Sequence, residues 1–131
     1  MRKDIEIPKA ENIHIVAINE YDEEVGAKLW TVYFINNRET QIETVLVMSR
    51  GNTEDKKTTT LRRNLGNVAP KQAIKIEFIA EAVLAFTNEY LVTFFDGSRM
   101  FERKFTFTPN SISESNTVKL PAVDTDGILA K

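Results

Sequence analysis

Alternation of apolar and polar residues is the feature that most constrains how this chain can fold. In the segment 65–78, LGNVAPKQAIKIEF, three apolar residues (Ile74, Ile76 and Phe78) alternate with polar ones. A period of two with branched and aromatic residues on one side is typical of a half-buried β-strand. The same period predicts seven strands, at residues 13–21, 28–35, 41–49, 58–63, 72–79, 89–95 and 99–108. The sequence therefore predicts an all-β fold.

Turn signals separate these segments. Asp96-Gly97 lies between the last two, and Asp-Gly between alternating runs is a strong hairpin signal. Short strands divided by regular turns predict an immunoglobulin-like antiparallel β-sandwich at residues 13–108. We expect an extended lead-in at 1–12 and a C-terminal tail at 109–131. The alternative is a helix over 72–86, because EFIAEAVLAF is apolar and Pro70 is compatible with a helix start.

Composition narrows the function classes. The chain has 131 residues, a net charge of −2 and no cysteine. The length suits one domain, and the charge argues against a dedicated nucleic-acid-binding protein. The lack of cysteine removes disulfides, thiolate metal sites and a cysteine nucleophile. The N-terminus has no apolar run of the secretory type, and no window reaches the length of a membrane span, so we expect a cytoplasmic protein.

Several segments resemble a known family of folds. TLRRNLGNVAPKQAIKIEF, at residues 60–78, is similar to segments of immunoglobulin-like and fibronectin-III-like modules of bacterial adhesion and scaffold proteins. LWTVYFINN and IETVLVMSRG resemble the second and third strands of such modules. The resemblance covers residues 13–108 and implies a tyrosine corner at Tyr90 and a core tryptophan at Trp30. The antibody-type cysteine pair is missing, since Val92 stands two residues after Tyr90.

Residues with catalytic or metal-binding chemistry are sparse. His14 is the only histidine, and it alternates with Ile13 and Ile15, so we expect it at the surface rather than in a triad or zinc site. The segment 124–127, DTDG, resembles part of a calcium loop but lacks the remaining ligands, which favours a β-turn. No phosphate-binding glycine motif occurs. We therefore expect a protein without a cofactor or metal that is not an enzyme.

The predicted strands are apolar on both sides, and this carries the main functional prediction. The stripe from Tyr90 to Phe94 faces the phenylalanines of the last strand across a hairpin, which predicts core. A sandwich sheet has one wet face, so a second apolar face needs a cover. The tail segment 118–129 or a second subunit could supply it, and we favour a homodimer or another protein partner. The predicted interface residues are Tyr33, Ile35, Val45, Val47 and Phe95.

Two further functions remain open. RNA or another polyanion could bind a basic cluster made of Arg50, Lys56, Lys57, Arg62 and Arg63. An enzyme or small-ligand site could lie in a pocket at one end of the sandwich, although no motif supports it. Arg103 shares a predicted face with Phe101 and Phe105, so we expect it at the rim, displaced by a bulge, or paired with an acid such as Glu77.

Overall fold

Nine β-strands and two single 3-10 turns account for the regular structure of residues 7–131, the part of the chain that the computed structural model describes. The strands are β1 (Ile13–Asp22), β2 (Ala27–Asn36), β3 (Ile42–Asn52), β4 (Leu61–Val68), β5 (Ala73–Ile79), β6 (Thr87–Asp96), β7 (Arg99–Phe107), β8 (Val118–Lys119) and β9 (Asp126–Leu129). The 3-10 turns are Glu81–Val83 and Glu114–Asn116. The all-β prediction is confirmed. The alternative helix over 72–86 is wrong, because that segment holds β5 and one 3-10 turn.

The strands form two antiparallel sheets that pack as a β-sandwich. One sheet has five strands in the order β5-β2-β1-β9-β8, and the other has four in the order β4-β3-β6-β7. The hairpin predicted at Asp96-Gly97 is present, since β6 pairs with β7 across the turn at Gly97, and β1 pairs with β2 in a second hairpin. A positive φ of 65° at Gly97 explains why glycine follows Asp96 there.

The core lies between the sheets and is rich in aromatic rings. Tyr90 and Phe94 of β6 are fully buried, as are Phe105 and Phe107 of β7. The Tyr90 and Phe107 rings meet edge to face with centroids 5.9 Å apart, a favourable aromatic geometry. The predicted aromatic core stripe is therefore confirmed. Trp30 is only partly buried and packs against the margin of the core, so it does not fill the central position that the family resemblance implies.

A bulge in β3 corrects the predicted faces of that strand. The register of β3 against both neighbours shifts between Ile42 and Leu46, and Thr44 has a positive φ of 51°. One extra residue reverses the side to which every following residue points. Val45 and Val47, predicted on the outer face, are 0% and 2% exposed and belong to the core.

A second bulge corrects the faces of β5. The register between β2 and β5 shifts at Val32/Tyr33, so that Glu77 is opposite Val32 and Lys75 is opposite Tyr33. Ile74 and Ile76 face the core as predicted, whereas Phe78 turns outward and is 46% exposed. Glu77 takes the inward position instead. The single-sided alternation predicted for Ile74, Ile76 and Phe78 therefore ends at the bulge.

The C-terminal tail belongs to the five-stranded sheet. β9 pairs with β1 and β8 pairs with β9, so the sandwich extends beyond the expected boundary at residue 108. Leu120 is buried against Val16 and Ile35 on the outer side of this sheet, with Val123 packed beside it. Of the two covers considered for an apolar face, the tail is the one found on this sheet.

The free edge of β7 is paired with both ends of the described chain. The Ala10 amide donates to the Glu102 carbonyl at 3.1 Å, and the Glu102 amide donates to the Pro8 carbonyl at 3.2 Å. Thr106 exchanges two backbone hydrogen bonds with Lys131, at 2.7 and 3.0 Å. These pairings satisfy an edge that would otherwise invite association with another strand. Residues 1–6 of the predicted lead-in lie outside the described residues.

At the side of the sandwich opposite β7, the edge strands β4 and β5 of the two sheets lie next to each other without pairing. β4 is an edge strand that begins at Leu61 and continues through Gly66 to Val68. The strand predicted at 58–63 is therefore displaced towards the C-terminus. Gly66 has a positive φ of 69°, which lets the strand bend without ending.

Candidate functional site

The outer face of the four-stranded sheet carries an apolar patch that nothing in the described chain covers. We call this surface the outer face; its apolar residues are Leu46, Met48, Leu91, Phe95 and Met100. Met48 is opposite Leu91, and Phe95 is opposite Met100, so these pairs share a side of the sheet. Leu46 is 44% exposed, Phe95 37% and Met100 36%.

A shallow groove of about 300 Å³ crosses this face. Leu46, Met48 and Leu91 line it, and β4 supplies Arg62 and Asn64 at its border. Arg62 is opposite Met48 and Asn64 is opposite Leu46 in the β3–β4 ladder. The apolar centre with a polar border is the arrangement found in protein interfaces.

Charged residues divide the outer face into a basic and an acidic end. At one end, Glu89 lies between two cations, with Lys104 Nζ at 2.8 Å and Arg50 Nε at 3.1 Å. The hydrogen bond from Lys104, together with that from Arg50, lowers the pKa of Glu89. This cluster has a net charge of one positive unit. Towards the other end, Glu43 is opposite Phe95 and Glu102 is opposite Thr93, so this end is acidic.

The predicted interface residues do not form one surface. Tyr33 and Ile35 lie on the outer side of the five-stranded sheet, where Leu120 packs over them. Ile35 is fully buried there, and the Tyr33 hydroxyl donates to Glu20 Oε2 at 3.0 Å. Burial first, and then Glu20, raise the pKa of Tyr33 to about 12. With Val45 and Val47 in the core, Phe95 is the only member of the set on the uncovered face.

Sequence reasoning missed the residues that replace them, Leu46, Met48 and Met100. β3 reads as apolar from Val45 to Met48, so either set of alternating residues could face the core. No signal in the sequence marks the bulge that decides between them. For β7, the exposed position of Met100 follows from its pairing with Phe95.

The predicted polyanion-binding residues are exposed but dispersed. Arg50 is held by Glu89, and Lys56 and Lys57 lie in the loop after β3 with Glu54 and Asp55. Arg62 is opposite Met48 and Arg63 is opposite Val47. The side chains of these two consecutive residues therefore leave the strand on opposite sides of the sheet. The polyanion prediction stays a prediction, and no feature of the structure strengthens it.

A second cavity lies between the edges of the two sheets, and we call it the inter-sheet cleft. It has a volume of about 300 Å³ and is lined by parts of β3, β4, β5 and β6. Glu77 is its only carboxylate: Tyr90 donates its hydroxyl to Oε2 at 2.7 Å, and Ser49 donates to Oε1 at 3.3 Å. Burial first, and then Glu77, raise the pKa of Tyr90 above its ordinary value. Tyr90 therefore contacts a side chain rather than the backbone that a tyrosine corner requires.

The remaining candidates from the sequence are His14 and Arg103, and both are partly buried. His14 is half-buried on the outer side of β1, and burial, followed by the charge of Arg103, lowers its pKa. Arg103 donates to the Ala10 carbonyl at 3.3 Å and lies over the Phe105 ring at 4.7 Å, so of the three placements expected for it, pairing with Glu77 is not the one found. Among residues 7–131, no group of three or more histidine and carboxylate side chains is placed to hold a metal ion.

The two helical elements among the described residues are single 3-10 turns, which are far too short to cross a membrane. No protein-family model, curated protein or solved structure matches this chain.

Proposed function

We propose that this chain is a non-enzymatic protein-interaction domain that pairs with a second copy of itself through the outer face. The observation that carries the proposal is the uncovered apolar patch on one sheet, in a molecule whose own tail packs over part of the other sheet. Contiguous apolar surface with a polar border is characteristic of association sites.

The distribution of charge favours a second copy as the partner. Residues that are opposite each other form four rows across the outer face. The first row has Arg50 beside Glu89, and the second has Met48 beside Leu91 and Lys104. The third row has Leu46 beside Thr93 and Glu102, and the fourth has Glu43 beside Phe95 and Met100. The face is therefore basic at one end of the strands and acidic at the other.

A two-fold axis that runs across the strands, between the second and third rows, brings opposite charges together. It places Lys104 of one copy over Glu102 of the second copy, and Arg50 over Glu43. Met48 then packs on Leu46 at the centre, which is the apolar part of the contact. Two-fold pairs are the commonest assemblies, and stacked sheets pack with their strands within about 30° of each other. The apolar centre is small, so we expect a weak dimer.

The strand order supports the immunoglobulin-like assignment that accompanies this proposal. In such sandwiches the first, second and fifth strands share one sheet, and the third, sixth and seventh share the other. β1, β2 and β5 on one side and β3, β6 and β7 on the other follow that division. This chain differs from that division in two ways: β4 pairs with β3, and β8 and β9 extend the first sheet.

The first experiment measures mass by sedimentation equilibrium from about 1 µM to about 500 µM, a range that covers weak association. We expect a reversible dimer for the wild type and a monomer for Leu46→Glu. Val25→Glu is the matched control, because Val25 is 58% exposed in the turn after β1 and lies off the outer face. A wild type that stays monomeric at every concentration, or a control that dissociates equally, overturns the proposal.

Charge reversal tests the orientation of the two copies. Glu102→Lys should weaken the dimer, because it sets two cations against each other at both symmetric contacts. Adding Lys104→Glu should restore association, since the pair then forms with reversed polarity. Failure of the double variant to recover would reject this two-fold arrangement. Salt-dependent binding of the monomer to single-stranded RNA would instead favour the polyanion alternative.

A further inference from the structure

The inter-sheet cleft is separate from the outer face and has the features of a small-ligand site. It opens between β4 and β5, the two edges that are not joined by a ladder. Its volume of about 300 Å³ lies at the lower end of the range for ligand pockets, about 300–1,000 Å³. Leu61, Ile79 and Val83 contribute apolar wall, and Ser49, Glu77 and Tyr90 place polar atoms at the inner part.

Glu77 is in the cleft because of the bulge in β5. Ile76 and Glu77 both turn towards the interior, while Phe78 is turned outward and borders the cleft. Bulges that redirect a side chain are frequent beside binding sites. Here the bulge replaces an aromatic ring with a carboxylate at the margin of an apolar core.

Two hydroxyl groups orient the Glu77 carboxylate but leave its charge uncompensated. Tyr90 and Ser49, 1% and 5% exposed, donate to different carboxylate oxygens. Among the residues that the structure describes, no lysine or arginine nitrogen lies within 4.0 Å of Glu77. Arg50 also lines the cleft, but its guanidinium is paired with Glu89. A partly buried carboxylate without a cation is unfavourable, whereas one that meets a cation and further donors is stabilised.

We propose that the cleft binds a primary ammonium group carried on a short apolar stem. The ammonium would donate to the free lone pairs of Glu77, and the stem would lie along Leu61 and Val83 towards the opening. A primary ammonium has three donors and no acceptor, which matches a site whose fixed polar centre is a carboxylate. The same chemistry is present in free alkylamines and in lysine side chains.

The experiment is a titration of the labelled protein followed by two-dimensional amide NMR spectra, with n-butylammonium as the probe. We expect saturable shifts for the amides of residues 49–51, 77–80 and 88, which surround the cleft. n-Butanol has the same stem without the charge, and it should bind at least about tenfold more weakly, a difference of about 1.4 kcal/mol. Equal binding of the two probes, or no shift with either, overturns the proposal.

Glu77→Gln keeps the shape and an acceptor for Tyr90 while removing the charge, so it should weaken n-butylammonium binding by about tenfold or more. Glu54→Gln is the matched control, because Glu54 is exposed in the loop after β3, and it should bind as the wild type does. If Glu77→Gln does not give a dispersed spectrum, the comparison of the two probes on the wild type decides the matter. A lysine analogue blocked at both ends distinguishes a peptide source of the ammonium from a free amine.

Discussion

Two adjacent residues of β3 provide the sharpest test of the structure. Val47 is 2% exposed and packs in the core, whereas Leu46 is 44% exposed on the outer face. Replacing each with alanine removes similar apolar material from opposite sides of the same sheet. The bulge between Ile42 and Leu46 is what assigns the two residues to their sides.

The expected difference follows from burial. Val47→Ala removes two buried carbon atoms, each worth about 0.8 kcal/mol, and leaves a small cavity, so the free energy of unfolding should fall by about 2 kcal/mol. For a chain of this length, that lowers the melting temperature by about 7 °C. Leu46→Ala should change the free energy of unfolding by less than about 0.5 kcal/mol, as exposed substitutions do.

Urea and thermal unfolding followed by circular dichroism measure both variants. The experiment is done at low micromolar protein, so that association through the outer face does not add to the stability of the wild type. A large loss for Leu46→Ala with little change for Val47→Ala would refute the bulge and restore the simple alternation. Equal losses would mean that the outer face is covered within one chain.

Three further perturbations test other parts of the fold. The pKa of the Tyr33 hydroxyl is about 12 in the folded chain and 10 in the unfolded chain. Between these two values, only the unfolded chain loses the hydroxyl proton. The free energy of unfolding should therefore fall above pH 10, and fall less in Tyr33→Phe, as alkaline urea titrations would show. The lowered pKa of His14 means that the unfolded chain takes up a proton first as the pH falls below 6.5, so stability should decrease there. His14→Gln should flatten that slope, and an unchanged slope contradicts the assignment. In Gly127→Ala, the new Cβ would lie 2.6 Å from the Ala17 carbonyl oxygen, so we expect β9 to detach and stability to fall by about 1–3 kcal/mol in thermal unfolding. A wild-type melting temperature for this variant would show that the tail is not seated there.

Of the seven longer strands, the sequence predicts β1, β2 and β5 to β7 best, because alternating residues in them are buried. Boundaries for β1, β2 and β5 to β7 fall within two residues of those expected from the pattern. β4 is displaced, because its second half, LGNV, contains glycine and asparagine, which are also turn residues. β8 and β9 have two and four residues, too few for a period to be recognised.

The two surfaces could not be predicted because each depends on a bulge. In β3, residues 45–48 are all apolar, so the pattern does not show which of them face the core. Threonine at position 44 does not indicate the positive φ found there. In β5, Ile76 and Glu77 read as consecutive inward and outward residues, and the shift opposite Val32 turns both inward. An inserted residue changes the side of every later side chain while leaving local composition unchanged.

The pairing of β7 with both ends of the described chain has a practical consequence. Lys9 is opposite Glu102 and Lys131 is paired with Thr106, four residues further along the same strand. The two ends are therefore separated by about 13 Å along that strand. A linker of a few residues could join Lys9 to Lys131 in a circularly permuted chain that starts in the exposed loop at 53–57 and omits residues 1–8. The linker would run along β7, at the far side of the molecule from the opening between β4 and β5.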